Sequence, residues 1–326
     1  MLKVNSRLQQ YILYICTMNS SFQPHTKQTW LDAVRKELPD GKTLADLFIH
    51  TDVYDHDGFS WPGPQNQVRG TIPANEWKIL AHCSGNSACL SALENGAEAL
   101  WCKPGVGDSI DDFTQGIKFE FIHSLFDVSQ LSDGDKLQWH TALSDVTKNG
   151  LLYWMSQSPA DGEYQILEVL DTKKPSLFNL AATIAQQWQD QQNGWVVVHH
   201  VGSDFYGEIA WARAIREVFC KLGESKGMPR QLILLGQLKA DNHDANQDLI
   251  RYSYSALSAV MGGYDFISGL PWGQGLDKYA RLVQNIQHMM KHESKLHLFR
   301  DPMAGSYFIE EINRALVEEV LEHLQK

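Results

Sequence analysis

Short apolar runs alternate along this chain with longer segments of helical periodicity. The short runs are rich in Val, Ile, Leu or Trp and are bounded by Gly, Asn or Asp, a composition typical of buried strands. Eight runs are predicted to be strands: residues 77–82, 98–102, 117–122, 151–155, 164–170, 195–201, 231–236 and 264–269.

The segments between these runs are predicted to be helices. They cover residues 85–96, 109–116, 141–148, 175–190, 204–222, 245–262 and 276–293. Strands that alternate with helices are typical of a parallel sheet covered by helices. Eight strand–helix units predict an α/β fold of the (β/α)8 TIM barrel type.

Two of the predicted helices have a clear amphipathic pattern. In residues 204–222, apolar side chains recur every three or four positions, with Asp204 as the predicted N-cap and Gly223 as the predicted stop. In residues 276–293, the same spacing produces an apolar stripe that excludes the charged positions. Such stripes are expected to face the core.

The N-terminal region follows a different pattern. Trp30, Leu31, Val34 and Leu38 predict one helix, which marks residues 1–42 as an N-terminal extension to a barrel of residues 43–326. Residues 52–70 are rich in Gly, Pro, Asp and Asn, and we expect them to wrap the outside of the barrel as an irregular segment.

Composition narrows the classes of function. The chain has 326 residues, and its formal net charge of −11 argues against nonspecific binding to nucleic acid or to anionic membranes. The apolar stretch at residues 8–16 is too short to span a bilayer, which needs about 20 residues. Five widely spaced cysteines form no CxxC motif, and this pattern predicts a reducing compartment, the cytoplasm.

Candidate chemistry in such a barrel lies at the carboxyl ends of the strands. Successive residues of a strand point to opposite faces, so His199 and His200 are expected to divide between the helices and the barrel interior rather than share a metal. The residues predicted at these ends are His82, Cys83, Cys102, Lys103, Leu170, Asp171, His199, His200, Gln237 and Gly269.

Three further motifs are typical of loops and turns rather than of functional sites. His243-Asp244 is predicted to lie in a solvated loop that ends in a helix cap. Asp55-His56-Asp57-Gly58 has the wrong spacing for the Asp-x-His-x-x-Gly loop that binds cobalamin, and it is interpreted as a turn. Pro104–Gly107 lacks the full G-x-G-x-x-G pattern and is likewise interpreted as a turn.

An ordered set of sequence blocks resembles the barrel domain of the methylmalonyl-CoA mutase family. Residues 202–216 contain a Phe-x-x-Glu-Ile-Ala-x-x-Arg-Ala-x-Arg pattern, residues 256–263 end in Gly-Gly, and residues 301–310 read Asp-Pro-Met-Ala-Gly-Ser-Tyr-Phe-Ile-Glu. The resemblance extends from near Ala45 to near the C-terminus. Within it, Glu208, Arg213 and Arg216 are interpreted as ion-pair residues that dock a helix on its neighbours.

Departures from the family pattern suggest that this barrel is not catalytic. Leu80-Ala-His-Cys-Ser84 replaces a Tyr-Ala-Gly-type sequence, Leu170-Asp171 replaces a Tyr-His pair, and Gly236-Gln-Leu-Lys239 replaces a Thr-His-x-Gln stretch. The family's cobalamin domain is also expected to be absent, since the sequence stops at Lys326. The resemblance therefore implies no catalytic, cofactor-binding or metal-binding residues in this chain.

The chain most resembles the noncatalytic small (beta) subunit that pairs with a catalytic large subunit in bacterial heterodimeric mutases. That resemblance implies adenosylcobalamin in the partner subunit, none in this chain, and interconversion of (R)-methylmalonyl-CoA and succinyl-CoA by the complex. A homodimer of the isolated chain is an alternative assembly. Two other functions stay open: a standalone barrel enzyme that uses His200, Asp171, Gln237 or His243, and the barrel half of a split acyl-CoA mutase.

Two structural expectations follow from the resemblance. Active barrels of the family leave a bore for pantetheine, whereas here bulky side chains are expected to close it, with tryptophans near the strands as candidates: Trp77, Trp101, Trp154, Trp195 and Trp272. In addition, residues 1–39 are expected to form an arm that contacts the partner, because Trp30, Leu31 and Val34 would otherwise expose an apolar stripe.

Overall fold

A computed structural model describes residues 26–47, 49–50, 55–56, 76–143, 151–160, 162–190, 193–228, 230–239, 245–269, 276–299 and 301–325. The chain divides into two compact units, one with the N-terminal helix and one with the barrel. Within the described part, no helix is both long enough and apolar enough to cross a lipid bilayer.

The strands, numbered in chain order, comprise a short pair and a closed barrel. The short pair is β1 (Ile49–His50) and β2 (Asp55–His56). The barrel strands are β3 (Lys78–Cys83), β4 (Ala99–Cys102), β5 (His123–Asp127), β6 (Leu152–Ser156), β7 (Tyr164–Val169), β8 (Gly194–Val201), β9 (Gln231–Leu238) and β10 (Phe266–Gly269).

The barrel strands follow one another in chain order, every pairing is parallel, and β10 closes the barrel against β3. The predicted (β/α)8 barrel is therefore confirmed. Because the closing pair joins the first and last barrel strands, residues that are far apart in sequence become neighbours at the same end of the barrel.

The helices are also numbered in chain order, and those that follow β3 connect and cover the barrel strands. The described helices are α1 (Lys27–Glu37), α2 (Asn86–Glu94), α3 (Ile110–Thr114), α4 (Asp133–Ala142), α5 (Lys174–Gln187), α6 (Phe205–Lys226), α7 (Ala245–Gly262), α8 (Leu276–His292) and α9 (Tyr307–Leu324). Short 3-10 turns occupy Leu44–Leu47, Phe119–Phe121 and Leu296–Leu298.

Two predicted elements are wrong in position. Residues 117–122 were predicted to be the third strand, but a 3-10 turn occupies Phe119–Phe121 and the strand is β5, which begins at His123. The helix predicted at residues 141–148 is instead α4, which Ser132 caps by accepting a hydrogen bond from the Asp135 amide. Residues 144–150 lie outside the described residues.

Two smaller predictions also need correction. Helix α6 continues past Gly223 to Lys226 and ends at Gly227, whose φ of +69° is the left-handed conformation that favours glycine. Asp55 and His56 form strand β2, so the turn interpretation is wrong for these two residues, whereas Asp57 and Gly58 lie outside the described residues.

The core has an inner layer inside the barrel and an outer layer between the strands and the helices. Helix α6 is central to the outer layer: Ile209, Trp211 and Ile215 are fully or almost fully buried, and Asp204 caps the helix by accepting a hydrogen bond from the Gly207 amide at 3.2 Å. The predicted cap and core-facing stripe of this helix are confirmed.

Candidate functional site at the mouth of the barrel

The carboxyl ends of the strands bring a set of polar side chains together. Strand alternation directs these residues toward the barrel interior, one step above an apolar layer. They are His82 on β3, Glu168 on β7, His200 on β8, Gln237 on β9 and Ser268 on β10.

His82 is the centre of the first polar group. Its Nε2 atom lies 3.2 Å from Ser268 Oγ and 3.3 Å from Gln237 Nε2, and its ring packs 4.5 Å from the Trp101 ring between centroids. Burial, together with the positive charge of Lys103, lowers the pKa of His82 to about 4. The imidazole is therefore neutral at neutral pH and is held by three neighbours.

His200 forms a second pair within this layer. Its Nε2 atom lies 2.8 Å from Glu168 Oε1, and the residue is buried whereas Glu168 is exposed. Burial and Lys239 lower the pKa of His200, and the Glu168 carboxylate opposes this effect. The expected division of the two adjacent histidines is confirmed, since His200 faces the interior and His199 faces the helices.

A pocket of about 350 Å³ opens at this end of the barrel. Its lining residues are His82, Cys83, Ser84, Trp101, Lys103 and Gln237. Lys103 also lies 3.4 Å from Asp127, a buried carboxylate at the end of β5 that accepts a hydrogen bond from the Ser129 amide. The pocket can accept hydrogen bonds from, or donate them to, a small polar molecule.

Metal chelation has no support in the described part of the chain. No group of three or more His, Cys, Asp or Glu side chains among the described residues has an arrangement that could hold a metal ion. Among the described residues, the hydrogen-bonding partners of His82 are Ser268 and Gln237, neither of which is a carboxylate.

His199 belongs to a separate network behind the barrel wall. Its Nδ1 atom makes a short hydrogen bond to the Tyr264 hydroxyl, and its ring stacks on Trp211 with centroids 4.0 Å apart. Glu208 accepts hydrogen bonds from the Gly202 amide at 2.6 Å and from the Thr172 hydroxyl. Burial lowers the pKa of His199 to about 3. This network joins β8 to α6 and does not reach the pocket.

Asp171 does not join the mouth of the barrel. Its carboxylate accepts hydrogen bonds from the Ser176 hydroxyl and, at 3.1 Å, from the Lys173 amide, so it stabilises the start of α5. Leu170 is exposed. His243 and Asp244 lie outside the described residues. Of the three described candidates for a standalone enzyme, which are His200, Asp171 and Gln237, Gln237 is the one that lines the pocket.

Ion pairs with buried arginines connect α6 to later parts of the chain. The fully buried Arg213 binds both oxygens of Asp301, at 2.7 and 2.8 Å, and binds Glu310 at 2.9 Å. Arg216 binds the Asp265 carboxylate at 2.8 Å and the Gly263 carbonyl. The docking role predicted for the two arginines is confirmed. Glu208 instead accepts hydrogen bonds from Gly202 and Thr172.

The barrel interior below the mouth is filled by apolar side chains. All members of the inner cluster are at most 9% exposed: Leu80, Ala99, Trp101, Leu125, Met155, Val196, Val198, Ile233, Leu235 and Phe266. At the amino end, Tyr153 packs against Phe266 and Tyr164 at centroid distances of 6.1 and 5.8 Å, and Tyr164 donates to Gln231 at 2.6 Å.

Among the four described tryptophans that were candidates for this interior, Trp101 is the one that lies in it. Trp77 and Trp195 belong to the outer core beside α5–α9, and Trp154 belongs to the outer core beside α2–α4. Trp272 lies outside the described residues. The sequence prediction placed these side chains near strands but could not assign each one to a face of its strand.

Some residues at the mouth were not identified from the sequence. Glu168, Asp127 and Ser268 are part of the polar layer, although only their neighbours were candidates. The alternation of side chains along a strand could have identified two of them. Glu168 is two positions after the interior residue Ile166, and Ser268 is two positions after the interior residue Phe266.

Comparison with known proteins identifies similarity in the carboxyl-terminal part of the barrel. Residues 196–326 match the family model for methylmalonyl-CoA mutase. The chain is 28% identical over 134 residues to the methylmalonyl-CoA mutase small subunit of Propionibacterium freudenreichii subsp. shermanii, covering 38% of this chain and 21% of that protein.

Two further small subunits are similar. The one from Porphyromonas gingivalis is 30% identical over 36% of this chain and 21% of its own length. The one from Streptomyces virginiae is 28% identical over 87% of this chain and 57% of its own length. The chain therefore aligns with about a fifth to somewhat over half of the length of these relatives.

Proposed function

We propose that this chain is a member of the methylmalonyl-CoA mutase family and serves as a noncatalytic small subunit of such a mutase. Its partner would be a catalytic large subunit that holds adenosylcobalamin and interconverts (R)-methylmalonyl-CoA and succinyl-CoA. The proposal assigns to this chain the stabilisation of that partner through a large interface.

The filled barrel interior is the observation that carries the proposal. A pantetheine chain lying along the barrel axis would have to displace Trp101, Leu125 and Phe266, which are buried in the inner cluster. Exposing one large apolar side chain costs about 1.5–3 kcal/mol. Because several would be displaced together, an acyl-CoA threaded through this barrel is strongly disfavoured.

The chemistry of the mouth also supports a noncatalytic role. His82 and His200 are already paired with protein groups, and burial favours the neutral form of each. The similarity to small subunits from three bacteria, which extends over most of this chain in one case, supports the assignment of this chain as a small subunit.

An activity assay of separate and combined chains tests this function. We expect this chain alone, supplied with adenosylcobalamin and methylmalonyl-CoA, to form no succinyl-CoA above the background without enzyme. The large chain of the same organism, assayed with this chain, should be active. Turnover by this chain alone would overturn the noncatalytic assignment and would favour a split mutase or another barrel enzyme.

Calorimetry provides a second test that does not depend on turnover. Titration of adenosylcobalamin into the isolated chain should give no tight stoichiometric complex, whereas titration into the large chain should give one. A tight complex with this chain by itself would contradict the placement of the cofactor in the partner.

A further inference from the structure

A second pocket lies beside the mouth of the barrel, between the helix that follows β3 and the helix that follows β10. It has a volume of about 700 Å³ and is lined by the start of α2, by Gly269 at the end of β10 and by Gln284 of α8. It shares His82 and Ser84 with the smaller pocket at the mouth. A volume of this size is typical of sites that hold small molecules.

The first residues of α2 line this pocket. Gly85 precedes the helix and provides no side-chain cap, and the first turn contains no acidic residue. The Asn86 side chain is used elsewhere, because it donates hydrogen bonds to the Phe113 and Gln115 carbonyls at 3.0 and 2.7 Å. A Cβ at Gly85 would meet nothing within 4 Å. The start of this helix therefore combines a partial positive charge with open space for an anion.

Gln284 is a second and independent feature that indicates a ligand. The residue lines the pocket from α8, is only 7% exposed, and has no hydrogen-bond partner for its Oε1 atom among the described residues. A buried oxygen without a partner is costly in a folded protein. A ligand hydroxyl that donates a hydrogen bond to this oxygen would remove that cost.

The other polar groups of the lining suit an anion that carries hydroxyl groups. The hydroxyls of Ser84, Ser87 and Ser91 and the side-chain amide of Asn95 can each donate and accept hydrogen bonds. Among the described residues that line the pocket, none is Asp or Glu, so no lining carboxylate repels a negative ligand. Phosphate is the anion that helix starts commonly bind through their backbone amides.

We propose that this pocket binds a small hydroxylated phosphate monoester, such as a sugar or polyol phosphate. The phosphate oxygens accept hydrogen bonds from the first-turn amides of α2 and from the Ser87 hydroxyl, and a hydroxyl of the same ligand donates to Gln284 Oε1. Binding requires no turnover by this chain, so the site goes beyond the proposed noncatalytic role and does not depend on the large subunit.

Isothermal titration calorimetry of the full chain tests the site, with glycerol 3-phosphate and inorganic phosphate as probes in a chloride buffer of constant ionic strength. We expect one saturable site per chain for each probe. The affinity for glycerol 3-phosphate should be about fivefold higher, because its hydroxyl adds a hydrogen bond to Gln284. A titration of glycerol 3-phosphate without saturable binding would overturn the proposal, and so would equal affinities for the two probes.

Gly85→Asp separates loss of the site from loss of the fold. The new carboxylate should cap the free amides of α2 and repel phosphate, so the affinity for both probes should fall by about tenfold or more. The melting temperature without ligand should stay the same or rise. Gly134→Asp adds the same charge to the first turn of α4 and should leave binding unchanged. Unchanged binding by Gly85→Asp would overturn the assignment of the phosphate to α2.

Gln284→Met tests the second contact. Methionine is similar in size to glutamine but is only a weak hydrogen-bond acceptor. The affinity for glycerol 3-phosphate should therefore fall to that for inorganic phosphate, whose own affinity should not change. An unchanged preference for glycerol 3-phosphate would overturn the role of Gln284.

Discussion

Arg213 illustrates, at the scale of one residue, how charge is accommodated in this core. It is fully buried on α6, yet it binds Asp301 and Glu310, which lie before and within the first turn of α9. The three residues were prominent in the sequence because they lie in the blocks that resemble the mutase family. Their structural reason is that one guanidinium joins two segments that are about a hundred residues away along the chain.

Replacing Arg213 by Met should lower the free energy of unfolding by about 3–5 kcal/mol, since the buried carboxylate of Asp301 loses its counter-charge. Lys221→Met on the same helix removes an exposed pair with Glu217 and should cost less than about 1 kcal/mol. Urea denaturation of both variants measures the difference. Equal losses would show that the buried ion pair does not hold α9 in place.

The lowered pKa of His199 predicts that the free energy of unfolding depends on pH. Its pKa is about 3 in the folded protein and 6.5 for the unperturbed side chain, so the unfolded chain binds a proton that the folded protein does not between these values. The free energy of unfolding should therefore fall as pH falls below 6.5, with a contribution from this group of about 1.4 kcal/mol per pH unit, and be insensitive to this group at higher pH.

Two aromatic variants separate titration from the loss of a hydrogen bond. His199→Phe retains a ring beside Trp211 and should reduce the slope of the free energy of unfolding against pH by the equivalent of about one proton. Tyr264→Phe also removes the hydrogen bond between residues 199 and 264 but should leave this slope unchanged. Denaturation curves at pH 6.5, 5.5 and 4.5 make the comparison. Equal slopes in the two variants would mean that His199 is not the group that titrates.

At the scale of elements, the strands and helices with strong patterns were predictable and the weakly patterned ones were not. Strand β8 and helix α7 begin and end within one residue of their predicted bounds. Strand β5 was misplaced because His123 and Asp127 interrupt its apolar pattern. The preceding Ile117 and Ile122 supply the apolar run, yet both pack against the outer core.

Helices α4 and α6 show what local patterns leave out. Helix α4 has a polar first turn, and its main signal was the Ser132 cap with Asp135 three positions later. In α6, Gly223 lies within the helix, where a Cβ would be in ordinary van der Waals contact with Trp188, and the helix ends at the left-handed Gly227 instead. The candidate site was similarly incomplete, since closure of β10 on β3 places Ser268 beside His82.

A substitution on β10 tests how tightly the inner layer of the barrel is packed. Phe266→Ala on β10 should reduce the free energy of unfolding by about 3–5 kcal/mol, because it leaves a cavity in the packed interior. Phe121→Ala, at a side chain that is 75% exposed, should change it by less than about 0.5 kcal/mol. A small effect of Phe266→Ala would indicate that the interior is loosely filled and would weaken the case against a bore.

At the scale of the whole molecule, the N-terminal arm remains a prediction. Thr26 caps helix α1 through a reciprocal capping box, and Trp30 on this helix is 38% exposed. We expect a variant that lacks residues 1–39 to keep the folded barrel but to bind the large subunit more weakly. Circular dichroism checks the fold, and unchanged affinity in calorimetry would remove the arm from the interface.

Sedimentation velocity of this chain coexpressed with a large mutase chain measures whether the two chains associate as we propose. We expect a single species with the mass of one small and one large chain, and mutase activity that sediments with it. An obligate interface of this kind typically buries more than about 2,000 Å² and should survive dilution. Two separate species, with all the activity in the large chain alone, would contradict the account.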